Sequence, residues 1–285
     1  SADARRSASS PYVAEVRSTD IRGGGFAVSW RGLEPVARDG VSDTRVAGAE
    51  DTMDVFDEER REMRRHVDVV YIVSPDLETQ RTLHALQDGL PVVLLNGGAE
   101  AKELDTITIE NHHGACEMVG HLVARGHRRI AMIGGPQRNY DAAERLRGYE
   151  SALTESGIAH DESLVVTGNF SELSGHRAVT QLLALHDRPT AIFAANDSMA
   201  IGALSALRER GLRVPEDMAV AGFDDIPLAR YMNPPLSTVH VDISLLGERA
   251  ATLLLSSLLQ GHRPRQQLHL STTLVIRSSC GGPVS

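Results

Sequence analysis

Short apolar runs alternate with longer amphipathic stretches along most of this chain, the pattern of parallel strands joined by helical crossovers. Buried strands are predicted at "VDVVYIV" (67–73), "PVVLL" (91–95), "RRIAMIGG" (128–135), "SLVVTG" (163–168), "TAIFAAN" (190–196) and "MAVAGF" (218–223). Helices are predicted over "DEERREMRRH", "ETQRTLHALQDG", "GACEMVGHLVARGH", "AERLRGYESALTESGI" and "SMAIGALSALRERGL", several closed by a glycine that can terminate a helix. Beyond residue 240 the pattern changes: "DISLLGERAATLLLSSLLQG" reads as one long helix and "HLSTTLVIRSS" as a late strand. Before residue 60 it is less regular, because "YVAEVRST" alternates polar and apolar positions where a central parallel strand is nearly all apolar. The predicted class is α/β with doubly wound parallel sheets.

Sheets of this kind bind ligands beyond the carboxyl ends of their strands, so the polar residues there carry the candidate chemistry. Asp224 and Asp225 follow an apolar strand, where they can cap a turn, hold a metal, act as an acid–base pair or accept from a ligand. Asn196 and Asp197 stand between a strand and a helix; one can cap the helix while the other points into the crevice. Arg145 and Arg147 are two apart on a predicted helix and face different ways. One then meets solvent, and the other can project inward as a fork of donors for a diol, carboxylate or phosphate. "GGGF" at 23–26 lacks both the dinucleotide spacing and the lysine of a phosphate loop, which leaves a flexible turn. His112 and His113 diverge by about 100° on a helix, so they read as a helix start and not a metal pair.

Composition narrows the function classes. At 285 residues and 41% hydrophobic the chain can form a large domain or two lobes of ordinary size. Its 38 acidic and 29 basic residues, net −9, argue against an extended basic face for a phosphate backbone. Cys116 and Cys280 lack any paired spacing and read as reduced structural thiols. Without an apolar run of about 18 residues or the apolar middle of a secretory signal, a cytoplasmic location and no membrane contact are expected. No Ser-His-Asp or Cys-His arrangement with a nucleophile turn is present, so a binding protein is expected, with no catalytic residue, cofactor or metal.

Several motifs occur together: "RGHRRIAMIGGP", "ERLRGYESAL", "GNFSELSGHRA", "RPTAIFAANDSMAIGALSALRERGLRVPEDMAVAGFDD" and "ARYMNPPLSTVHVDISLLGERAATLLL". Over about residues 67–278 they resemble the effector-binding core of the LacI/GalR family of bacterial transcription regulators. The resemblance implies two lobes of the type I periplasmic-binding-protein kind joined by three crossovers. The N-terminal lobe would comprise 11–124 with 243–270 and the C-terminal lobe 126–241 with 273–280. Residues 1–10 would be a hinge remnant or disordered, and the family's DNA-reading helix-turn-helix is expected to be missing from this chain. "VRSTDIRGGGFAVSWRGLEPVARDG" resembles the family's first strand and helix loosely, with Arg22 to Phe26 in place of an "NPFF" turn. Carried over by position, Arg145, Asn196 and Asp224 become the polar triad that holds an effector and Phe170 an aromatic lining residue. Phe26 and His113 are weaker matches, and Asp225 supports the loop. The implied partners are a small-molecule effector, operator DNA through the missing helix-turn-helix, and a second copy in a homodimer. A sugar or sugar derivative leads the effector classes, with a purine open. The rivals are a periplasmic-type sugar-binding transport protein and a nucleotide-dependent α/β enzyme.

Overall fold

A computed structural model of the chain describes residues 16–21, 25–28, 44–47, 69–73, 92–96, 104–260 and 264–281. The helices expected at 57–66 and 78–89 and the segment 1–10 lie outside the described residues. Along the chain run β1 (Val16–Ile21), β2 (Gly25–Val28), β3 (Thr44–Ala47), β4 (Val69–Val73), β5 (Val92–Leu95), β6 (Asp105–Ile109) and α1 (Asn111–Ala124). There follow β7 (Ile130–Gly134), α2 (Tyr140–Glu155), β8 (Val165–Thr167), α3 (Glu172–Leu183), β9 (Ala191–Ala194), α4 (Asp197–Glu209) and β10 (Ala219–Ala221). The last elements are β11 (Thr238–His240), α5 (Ile243–Gln260), β12 (Gln267–Leu270) and β13 (Thr273–Val275).

The chain forms two compact α/β units, one of residues 1–107 with 242–268 and one of 108–241 with 269–285. It therefore passes between them three times, at 107/108, 241/242 and 268/269. The crossing at 107/108 corrects the expected lobe boundary, which left residues up to 124 in the first lobe. Helix α1 packs instead on α2 of the second unit. A Cβ on Gly148 of α2 would strike the His112 carbonyl and come within 2.8 Å of the Ala115 Cβ.

In the first unit the sheet order is β12-β6-β5-β4-β3, with β3 to β6 parallel. Strands β1 and β2 form a separate antiparallel pair within the segment expected as first strand and helix, whose residues 29–40 lie outside the described ones. Alternating polar and apolar residues suit such a ribbon, which need bury only one face. Strand β6 carries the buried Asp105, whose Oδ1 accepts from the Gln266 N–H at 2.8 Å and whose Oδ2 accepts from the Ser257 hydroxyl at 3.3 Å.

In the second unit β10-β9-β7-β8 form a parallel sheet, and β11 pairs with β13 in a small antiparallel one. All of "IAMIG" and "AIFA" is buried, which explains why these strands are unbroken apolar runs. Helix α2 starts where the Asn139 side chain accepts from the Ala142 N–H at 2.9 Å. Its buried positions 141, 142, 145, 148, 149, 152 and 153 repeat at helical spacing and put one face on the core. Tyr149 on that face is fully buried, with its hydroxyl donating to the Ile130 carbonyl at 2.8 Å; burying such a ring stabilises by roughly 2–3 kcal/mol.

Candidate functional site

The site lies in the second unit, where the ends of β9 and β10 meet the first turns of α1 and α2. Strand β10 runs into Asp224, whose N–H donates to the Val239 carbonyl at 2.8 Å. Asp224 and Asp225 have φ of +108° and +54°, left-handed backbone that few side chains adopt. Short carboxylates tolerate it best, and two such residues in succession point the Asp224 side chain one way and the Asp225 side chain another.

Asp224 Oδ1 lies 3.1 Å from Arg145 Nη1, with side chains only 12% and 4% exposed. The guanidinium stands 3.8 Å over the Phe223 ring, a cation–π contact in a desolvated place. The Arg145 Nε–H donates to Asn111 Oδ1 at 2.8 Å, and Nη1 donates to the Ala195 carbonyl at 2.5 Å. Asn111 Nδ2 in turn donates to Asp141 Oδ1 at 2.8 Å. Burial pushes the Asp224 carboxyl above the usual carboxylate range, and the Arg145 charge and hydrogen bond offset only part of that.

Asn196 follows Ala195 and caps α4, its Oδ1 accepting from the Met199 N–H at 2.9 Å while its Nδ2 donates to the Phe170 carbonyl at 3.0 Å. Phe170, at φ +66°, lays its ring against Gly135, where a Cβ would collide with it. Four of the expected residues thus form one chain of contacts: Asp224 to Arg145, Arg145 to the carbonyl before Asn196, and Asn196 to Phe170. The other two are placed differently. His113 is 61% exposed and lies 3.6 Å from Glu117 on its own helix, whereas Asn111, two residues earlier, is buried. Phe26 lies in β2, and its side chain is outside the described residues. Arg147 is the solvent-facing arginine, paired with Glu144.

Two further acids hold the loop. Asp225 accepts from Arg277 Nη2 at 2.7 Å and lies 3.1 Å from His240 Nδ1. Asp197 is fully buried, accepting from the Ile226 N–H at 2.9 Å and the Thr238 hydroxyl at 2.6 Å. Burial, then the Asp224 charge, drives its carboxyl well above the usual range, while the hydrogen bonds from Thr238 and Ile226 pull the other way. A carboxyl raised in the folded state binds more protons folded than unfolded. Its contribution is therefore most favourable below the unfolded pKa and declines as pH rises toward the folded one. Asp197→Asn is expected to remove that decline: in urea melts at a series of pH values, wild type loses stability relative to the variant as pH climbs out of the usual carboxylate range. Parallel curves would contradict the assignment.

Two parallel sheets, three chain crossings and a buried acid–guanidinium pair at strand ends define a periplasmic-binding-protein-like core. The family model described as "Periplasmic binding protein-like domain" matches residues 119–280. Among curated relatives, the HTH-type transcriptional repressor PurR of Vibrio atlanticus is 34% identical over 216 residues, 75% of this chain and 65% of that protein. Among solved structures, the transcriptional regulator CelR–cellobiose complex superposes with a TM-score of 0.74 at 34% identity, covering 80% of this chain and 71% of that one. A LacI-family regulatory protein from Chloroflexus aggregans gives 0.74 at 32% identity, covering 81% and 83%. The chain belongs to the periplasmic binding protein-like family and, within it, is the effector-binding core of a LacI-family regulator. It spans 65% of the length of that PurR relative.

Proposed function

We propose that this chain senses a small uncharged effector, a sugar or sugar derivative, for a transcriptional regulator of the LacI family. The observation that carries the reading is the Arg145–Asp224 pair, a buried donor fork beside a buried acceptor at the end of a strand. A hydroxyl both donates and accepts, so a diol can engage both members at once, and hydrogen bonds to charged groups are worth about 1.5–3 kcal/mol each. The likeness to a cellobiose-bound regulator supports the sugar class. A purine-related effector is the second reading, favoured by the likeness to PurR repressors and by the rings of Phe170 and Phe223 at the site. The site's role is binding, not turnover. In the whole protein a helix-turn-helix segment outside this chain contacts operator DNA, since a net charge of −9 suits this core poorly to a phosphate backbone. The regulator works in the cytoplasm as a homodimer, and effector binding shifts operator affinity through a coupling of about 1–3 kcal/mol.

A thermal-shift panel of sugars, cellobiose among them, and of purine nucleobases tests the reading. One class is expected to raise the midpoint of the wild-type chain and to leave Asp224→Asn unmoved, while sedimentation at micromolar concentration gives a dimer. Equal shifts in both proteins, or none from either class, would contradict it.

A further inference from the structure

Asp141 and Arg145 are four residues apart on α2 and share a face, where an acid and a guanidinium ordinarily pair directly. Here they do not. The Asn111 amide, from the first residue of α1, stands between them, its Oδ1 taking the Arg145 Nε–H and its Nδ2 giving to Asp141 Oδ1, both at 2.8 Å. All three residues are buried, at 1% exposure for Asn111, 4% for Asp141 and 3% for Arg145. The amide's orientation is forced by its partners: a guanidinium only donates and a carboxylate only accepts, so oxygen must face Arg145 and nitrogen must face Asp141.

We infer that Asn111 and Asp141 are positioning residues that hold the Arg145 guanidinium against Asp224 and the Phe223 ring. Asp141 fixes the Asn111 amide, and that amide fixes the Nε edge of the arginine. With Nε tied there and Nη1 tied to Ala195 and Asp224, the plane of the guanidinium is set before any ligand arrives. Preorganisation of this kind lowers the ordering cost of binding. Without the amide, Arg145 is free to swing to Asp141, its neighbour on the same helix face, and leave Asp224. The inference rests on the reading of Arg145 as the effector contact, but its first test needs no effector.

The test is hydrogen exchange at the Arg145 Nε–H, read in ¹⁵N-labelled chain by NMR and assigned by the signal missing from Arg145→Lys. Exposed Arg147 is the internal reference. In wild type the Arg145 Nε–H is expected to exchange about ten- to a hundredfold more slowly than that of Arg147. Asn111→Ala and Asp141→Ala should each lose most of that protection. Asp141→Asn should keep it, because the carboxamide oxygen can still accept from Asn111 Nδ2, whereas Asp141→Leu, of similar size but with no acceptor, should lose it, which a merely space-filling role would not produce. An unprotected Nε–H in wild type, or protection unchanged in Asn111→Ala, would overturn the positioning role. Binding of cellobiose and of purine nucleobases, measured on the same proteins, separates the two ideas. A protected Nε–H in a chain that binds neither class sinks the effector reading and leaves the positioning intact.

Discussion

Arg145→Met is expected to abolish effector binding and to lower the unfolding free energy by about 3–5 kcal/mol, the usual cost of removing one partner from a buried ion pair. Methionine matches the length of the aliphatic stem, so the loss falls on the charge and its hydrogen bonds and not on packing. The substitution strips the cation from Asp224, the donor from Asn111 Oδ1 and the donor from the Ala195 carbonyl. Asp224 keeps one escape. Burial already raises its carboxyl, and without Arg145 it takes up a proton more readily still, so the cost of the variant shrinks as pH falls. Urea melts at neutral and mildly acid pH check both parts. A variant as stable as wild type at neutral pH would show that the pair does not hold the site together.

The second large effect is at the crossing of α3 and α4. Gly175 of α3 lies on the backbone of Met199, and Gly202 of α4 lies on the backbone of Glu172, so each helix presents a missing side chain to the other's main chain. A single methyl at Gly202 would overlap the Glu172 carbonyl, and no rotamer change relieves a clash with backbone. Gly202→Ala is therefore expected to cost about 3 kcal/mol, the upper end of ordinary overpacking. Gly120→Ala in α1 is the control. Nothing lies within 4 Å of a Cβ there, and the substitution is expected to be neutral or to stabilise by about 0.4–1 kcal/mol through the unfolded chain. Equal midpoints for the two variants in thermal melts would contradict the close crossing.

The strands at the centre of each sheet were legible because burial on both faces leaves no room for polar residues, as in "VVLL", "IAMIG" and "AIFA". Strand β6 was not. Its sequence "DTITI" alternates, yet every position is buried, because Asp105 is tied to Gln266 and Ser257 and the Thr108 hydroxyl is bonded to His269. Partners 150 or more residues away leave no local trace. Helix α3 does leave one. Ser171 caps it, Glu172 begins it, and Gly175, Ala178, Val179 and Leu182 fall at helical spacing.

At the site, Arg145, Asn196, Asp224 and Phe170 could be picked out because motif order carried their positions. The role of Asn111 and Asp141 was not legible, since it depends on an amide reaching between two helices across 30 and 34 residues of chain. His113 was picked by position alone, but it stands two residues from the buried Asn111. That is about 200° around the helix, and it carries His113 to the exposed face.

The most direct test is calorimetry of the wild-type chain and of Asp224→Asn with whichever sugar or purine gives the largest thermal shift. Asparagine fills the same space and keeps one acceptor but removes the charge that Arg145 and a hydroxyl would share. The account predicts a Kd weakened by about a hundredfold in the variant, with the fold retained. The same Kd in both proteins would mean that the ligand is held elsewhere, and the proposed role of the guanidinium–carboxylate pair would fall.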